Sequence, residues 1–238
     1  MIQFVLMQIR RLSTLIKALV FDLDDTLVSE MEFVESGYFT IAQELSKDLQ
    51  INQAEIFGKL KGEFSKNSKN VFNRVLDSYG IDYDLNYINY LVKIYREHKP
   101  TLKGYPNIKD ELVQLRAKGF KLGIITDGFE ISQKNKIMSL NLYEYVDEII
   151  VTDEFGKDFW KPSVKPFELI KNKLNVDYNE MVYIGDNPNK DFYIKKDYPI
   201  STVRIYRPEG VYAKDEYLEG VREDYRINNI EELSRIFH

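Results

Sequence analysis

Four short polar clusters hold the residue types from which a reaction could be built. They are Asp22-Leu23-Asp24-Asp25-Thr26, Thr126-Asp127-Gly128, Trp160-Lys161-Pro162 and Gly185-Asp186-Asn187, the last with Asp191 five residues beyond Asp186. Taken singly, each has an ordinary explanation. Asp22–Asp25 reads as a charged turn capping a helix, and Thr126 as an N-cap hydroxyl. Lys161 reads as a solvated surface lysine, and Gly185-Asp186-Asn187-Pro188 as a turn. A calcium loop does not fit, because the ligand spacing and the obligatory glycine of an EF-hand are missing. Carboxylates at i and i+2 of a strand end nevertheless face the same way. Such a pair can bind a hard divalent cation, or divide the work of nucleophile and proton donor.

Composition narrows the chemistry further. Among 238 residues there is no cysteine, and His98 and His238 are the two histidines. Disulfides, thiol nucleophiles and cysteine-ligated zinc are excluded, and neither histidine has a partner at metal-ligand spacing. Carboxylates, hydroxyls and lysines remain. The balance of 33 Lys+Arg against 38 Asp+Glu gives a net charge of −5. That leaves no basic field for nucleic acid. No apolar run approaches the roughly 18 residues of a membrane span. Near the start, Arg10 and Arg11 follow the apolar stretch instead of preceding it, contrary to a secretory leader. Apolar residues at 2, 5, 6, 9, 12, 15 and 16 predict an amphipathic helix packed on the body. A cytoplasmic protein is expected.

The elements that must position the clusters follow from periodicity. Apolar runs at Ala18–Leu23, Lys121–Thr126, Glu148–Thr152, Met181–Gly185 and Ser201–Ile205 predict buried strands. Helical periods lie between the later ones, at Asn107–Lys118, Glu130–Leu140, Pro166–Leu174 and Lys190–Lys196. Tyr225–Ile227 and Glu231–Phe237 form a last strand–helix pair, with Asn228 or Asn229 as N-cap. Alternation of this kind predicts a parallel sheet covered on both faces. About 90 residues separate the first two strands, too many for an ordinary crossover. The stretch 29–99 is helical in pattern, with breaks near 50–53, 65–68 and 80–84. It reads as an inserted helical module. In a doubly wound sheet, ligands bind beyond the carboxyl ends of the strands, so all four polar clusters would meet on one rim.

In that order and at those strand ends, the clusters resemble the motifs of the haloacid dehalogenase superfamily of phosphohydrolases. Asp22-Leu23-Asp24-Asp25-Thr26-Leu27 is similar to the family's first motif, Asp-x-Asp-x-Thr. Thr126 matches the second-motif hydroxyl, Lys161 the third-motif lysine, and Gly185-Asp186 through Asp191 the acidic fourth motif. Lys165 also precedes a proline and competes for the lysine's place; Lys161 is preferred for its spacing to Phe167. The resemblance implies an α/β fold, a Rossmann-like doubly wound parallel sheet core with an inserted α-helical cap domain. The core would comprise residues 1–28 and 104–238, with 1–16 as an N-terminal extension, and the cap 29–103.

The implied chemistry is hydrolysis of a phosphate monoester. Asp22 would attack phosphorus, and Asp24 would protonate the leaving oxygen and then deprotonate water. Mg²⁺ would take oxygen ligands from Asp22, the Asp24 backbone carbonyl and Asp186. Lys161 would neutralise charge, and Thr126 with the amides of Asp127 and Gly128 would hold phosphate oxygens. Asp191 would orient Lys161 or the metal shell, with Asn187 in support. Asp24 favours a phosphatase over a dehalogenase, since departing halide needs no proton. Lys59, Lys61, Lys66 and Lys69 could offer a phosphonate-cleaving lysine but read as a solvated face. Asn67, Asn70, Asn73 and Arg74 are available to the cleft. A small phosphate ester is the expected partner, a sugar phosphate or a nucleoside monophosphate. A phosphomutase or phosphotransferase, and a non-catalytic binding module, are the competing readings.

Overall fold

The computed structural model describes residues 16–214 and 216–237. The expected helix over residues 2–16 therefore lies, apart from Ile16, outside the described residues. Six parallel strands form one sheet. They are β1 (Ala18–Phe21), β2 (Lys121–Thr126), β3 (Glu148–Val151), β4 (Met181–Gly185), β5 (Ser201–Ile205) and β6 (Tyr225–Ile227). Their spatial order is β3-β2-β1-β4-β5-β6. The order reverses between β1 and β4, where a doubly wound sheet opens its ligand crevice.

The two central strands are apolar on both faces because helices cover both. Leu19, Phe21, Val182 and Ile184 enter one core cluster, while Ala18, Val20, Met181 and Tyr183 enter the other. That is the period-two alternation of a strand. The first cluster is closed by Leu112 and Leu115 of α5 (Ile108–Ala117) and Ile137 of α6 (Glu130–Ser139). Phe167, Ile170 and Leu174 of α7 (Lys165–Leu174) close the second.

Between β1 and β2 stand four helices, α1 (Glu30–Leu49), α2 (Gln53–Lys66), α3 (Val71–Ser78) and α4 (Leu85–Glu97). Two of their starts are chemically marked. Asn52 accepts the Ala54 amide at 2.8 Å, and Asp84 the Tyr87 amide at 2.8 Å. Their buried residues, from Val34 through Leu60 to Leu91, form an apolar cluster of their own. None of the helices among the described residues is long and apolar enough to cross a membrane.

Two expected helices need correction. The helix expected over 190–196 is only a 3₁₀ turn at Tyr193–Lys196. Asp191 is fully buried with its carboxylate accepting the Asn187 amide at 2.9 Å, and Lys190 turns to Asp127, so this stretch is committed to the strand ends. The last helix shortens to a 3₁₀ turn at Ile230–Glu232 and α8 (Leu233–Ile236), with Asn229 and Glu232 forming a capping box.

His98, at the return from the insert, is buried against Phe33 with its Nδ1 2.6 Å from the Tyr95 carbonyl. Its Nε2 has no hydrogen-bond partner among the described residues. Burial, with nearby Lys136 adding to it, holds its pKa below the ordinary histidine value. The unfolded chain therefore takes up a proton more readily than the folded one. Stability from this group is complete above about pH 6.5 and is lost as pH falls through the folded value. His98→Gln is expected to narrow the stability difference between pH 7.5 and pH 5.5, measured by urea denaturation at both.

Candidate active site

Asp22 is the first residue beyond β1, at the point where strand order reverses. Its Oδ1 accepts the amide of Leu23 at 2.8 Å, which turns the chain and ends the strand two residues short of the expected Leu23. Lys161 reaches the same oxygen. Its Nζ lies 2.9 Å from Asp22 Oδ1, 3.0 Å from Asp191 Oδ1 and 2.6 Å from the Tyr183 hydroxyl. The lysine side chain is 0% exposed. Burial opposes its charge, but the Asp191 and Asp22 carboxylates hold its pKa well above the ordinary lysine value. One buried cation thus compensates two buried carboxylates.

Asp186, just beyond β4, completes an acidic set. One carboxylate oxygen from each of Asp22, Asp186 and Asp191 lies within 4.8 Å of the other two. Burial pushes Asp22 up to about 6 against the pull of Lys161, and burial with Asp191 and Asp22 pushes Asp186 well above the usual aspartate value. No hydrogen bond or ion pair reaches the Asp186 carboxylate from the described residues, although Asp186 is only 5% exposed. A crowded, all-oxygen donor set with a partnerless member fits a hard divalent cation such as Mg²⁺. Asp191 belongs to this set as well as to Lys161, whereas the Asp24 carboxylate points elsewhere. Asn187 supports from its backbone, its amide donating to Asp191 Oδ2 at 2.9 Å.

The closeness of Asp191 depends on a missing side chain. A Cβ on Gly185 would stand 2.4 Å from Asp191 Oδ2. Gly185→Ala is expected to displace Asp191 from Lys161 and to cost about 1–3 kcal/mol of stability. Urea denaturation and phosphate-release assays check both effects.

Thr126 closes β2 with its side chain buried, next to Asp127. The Asp127 carboxylate is occupied. It accepts the Thr152 hydroxyl at 2.9 Å, the Lys161 amide at 3.2 Å and Lys190 Nζ at 2.9 Å. Burial opposes its charge, but Lys161 and Lys190 hold its pKa below the ordinary aspartate value. Asp127 therefore braces the site through its side chain, leaving only its backbone free for an oxyanion. Gly128 has φ +136° and a Cβ there would press on the Gln133 amide, 3.1 Å away.

Asp24 faces a cavity of about 430 Å³ between the insert and the sheet, lined also by Tyr38, Phe72, Asn73 and Tyr95. Two residues of α6 hold it. Lys136 Nζ pairs with Asp24 Oδ1 at 2.6 Å, and Gln133 Nε2 donates to Asp24 Oδ2 at 2.9 Å. Glu30 lines the same cavity, its carboxyl pushed up to about 7 by burial and by Asp24.

The remaining candidates separate. Asp25 is structural: its Oδ1 accepts the Glu30 amide and its Oδ2 the Val211 amide, both at 3.0 Å. Lys165 pairs with Asp158 on the surface. Arg74 is spent within the insert on Glu63 and on the Lys69 and Asn67 carbonyls, and Asn67 accepts the Lys69 amide. Asn70 and Asn73 line the cavity. Sequence reasoning did not single out Gln133, Lys136, Tyr183 or Lys190. Only Lys190 carried a signal, lying inside the stretch 186–191.

A family profile described as haloacid dehalogenase-like hydrolase matches residues 19–204. The chain is 33% identical over 227 residues to glyceraldehyde 3-phosphate phosphatase of Methanocaldococcus jannaschii, covering 92% of this chain and 96% of that protein. It is 30% identical to the protein of the same name from Methanopyrus kandleri, over 81% of this chain and 85% of that one. A solved HAD phosphatase from Thermococcus onnurineus superposes with a TM-score of 0.59 at 26% identity, over 93% and 97% of the two chains.

Proposed function

This chain belongs to the haloacid dehalogenase-like hydrolase family and is a hydrolase of phosphate monoesters, and we propose that it is a Mg²⁺-dependent phosphatase of a small sugar phosphate. The observation that carries this reading is the pairing of Asp22 with the wholly buried Lys161 at the strand ends, two residues along the chain from a second carboxylate, Asp24, that lines the cavity under the insert. A phosphate dianion repels a carboxylate nucleophile. Asp22, Asp186 and the Asp24 backbone carbonyl would hold Mg²⁺, with Asp191 close beside Asp22 and Asp186, and the ion when bound supplies positive charge against the phosphate oxygens.

The chain's own residues do the rest. Lys161 neutralises Asp22 and holds its attacking oxygen in place. The Thr126 hydroxyl and the backbone amides of Asp127 and Gly128 hold phosphate oxygens. Asp22 forms an aspartyl phosphate as the ester P–O bond breaks, and Asp24 gives its proton to the departing oxygen. Asp24 then takes a proton from the water that attacks the intermediate, releasing phosphate and restoring Asp22. Residues 29–103 act as a cap that roofs the cavity, keeps bulk water out and selects the leaving group.

The relatives named for glyceraldehyde 3-phosphate put triose phosphates first among substrates. The test is phosphate release by the purified chain, with Mg²⁺ or with EDTA, from glyceraldehyde 3-phosphate, larger sugar phosphates and nucleoside monophosphates. Turnover that requires Mg²⁺ is expected on at least the triose phosphate. Silence on the whole panel, with Mg²⁺ binding shown by calorimetry, would overturn the reading.

A further inference from the structure

Of the polar side chains that helix α6 buries, two reach the site, and the steps above use neither. Gln133 is 1% exposed and Lys136 4%. Standing three residues apart, they share one face of the helix, and both reach Asp24, more than a hundred residues earlier in the chain. A lysine and an amide are costly to bury unless each has a specific partner. Here the partner of both is the same carboxylate. Lys136 takes Oδ1 and Gln133 takes Oδ2, so each oxygen has its own donor and the group cannot turn freely. A protonated carboxyl still accepts at both oxygens, so the two donors leave room for the proton that Asp24 must give, and Asp24 lines the cavity.

The Gln133 amide does more than hold Asp24. Its Nε2 also lies 2.5 Å from Thr126 Oγ1 and 2.8 Å from the Asp127 carbonyl, so its two hydrogens are shared among three acceptors. The spacing between Asp24 and the Thr126 hydroxyl is thereby set by one planar group. Because Thr126 accepts from Gln133, its own hydroxyl hydrogen is left to give to a phosphate oxygen. The helix beneath is anchored in turn. Ser132 donates to the Arg96 carbonyl, Asn135 to those of Glu97 and His98, and Ser139 to that of Pro100.

We propose that Gln133 and Lys136 are positioning residues for Asp24, fixing its carboxyl at the distance from the phosphate site where the leaving oxygen must receive its proton. The proposal deepens the phosphatase reading and rests on the role given there to Asp24. In the step concerned, the ester P–O bond breaks, its electron pair goes to the leaving oxygen, and the Asp24 proton passes to that oxygen.

The test compares kcat/KM on two esters. p-Nitrophenolate leaves unaided, whereas the alkoxide of glyceraldehyde 3-phosphate needs the proton. In Lys136→Met, kcat/KM for the triose phosphate is expected to fall about 30-fold, while that for p-nitrophenyl phosphate changes by less than about threefold; Gln133→Leu, which also frees Thr126, is expected to lose on both esters but several-fold more on the triose phosphate. Asp24→Asn should show the same split in kcat/KM together with a lower kcat on both esters, since it also loses the base of the hydrolysis step, and Asp24→Asn combined with Lys136→Met should be no worse than Asp24→Asn alone. Should Lys136→Met not fold, Gln133→Leu and Lys136→Arg carry the same comparison, the arginine keeping part of the activity. Equal losses on both esters, or multiplicative losses in the double variant, overturn the positioning role alone. A wild-type enzyme inert on both esters overturns the phosphatase reading and this proposal with it.

Discussion

Asp22→Asn is expected to lower turnover by on the order of 10⁴-fold or more, because an amide cannot take the phosphoryl group. The substitution is nearly isosteric, so the crevice keeps its shape. Lys161 keeps Asp191 and the Tyr183 hydroxyl within 3.0 Å, and the Leu23 amide can still meet a side-chain oxygen at position 22. One of three crowded carboxylates loses its charge, and for that reason the thermal midpoint should not fall. The chemical readout is direct. Wild-type enzyme quenched in acid during turnover and reduced with borohydride should yield homoserine at position 22, and the variant none. Wild-type rates in Asp22→Asn would remove the nucleophile from the mechanism altogether.

Lys161→Met is expected to fail in both activity and stability. Loss of a fixed cation at the reacting centre should cost about 10³-fold in kcat/KM. The methionine fills much of the lysine's volume, but Asp22 and Asp191 are left buried without their counter-charge. Breaking such a pair costs about 3–5 kcal/mol, which a urea denaturation midpoint will register. Lys161→Arg is not expected to restore function. The ammonium sits in a closed pocket against Tyr183, and a planar guanidinium cannot occupy it without moving that ring. Asp22→Asn combined with Lys161→Met should destabilise less than Lys161→Met alone, because one orphaned charge has gone. A Lys161→Met protein as stable as wild type would show that the two carboxylates do not depend on this lysine.

Much of the frame was legible from periodicity. The observed limits of β2, β4, β5 and β6 are those that the apolar runs predict, and the breaks in the insert fall where polar residues and Gly80 interrupt the helical pattern. The miss at 190–196 is instructive. A helical period is read over Lys190–Lys196, but Asp191 and Lys190 are drawn inward by Lys161 and Asp127, and a residue recruited by a partner leaves the helix that its pattern suggests. Asp24 and Asp25 show the same limit at single-residue scale. They are chemically identical neighbours, yet one carboxylate faces the cavity and the other ties down the amides of Glu30 and Val211.

What the linear order of residues determined was the sheet, the place of the insert and the acidic and basic groups at the strand ends, because a strand's burial and its exit are local properties written in alternation and in turn-forming residues. Only the tertiary structure decided which of those groups meet. Lys161 joins Asp22 and Asp191, while Gln133 and Lys136 arrive at Asp24 across more than a hundred residues of chain. The reason is physical: a buried charge takes whichever partner the packed fold brings within a few ångströms, and that distance is set by the whole sheet and its helices, not by spacing along the chain.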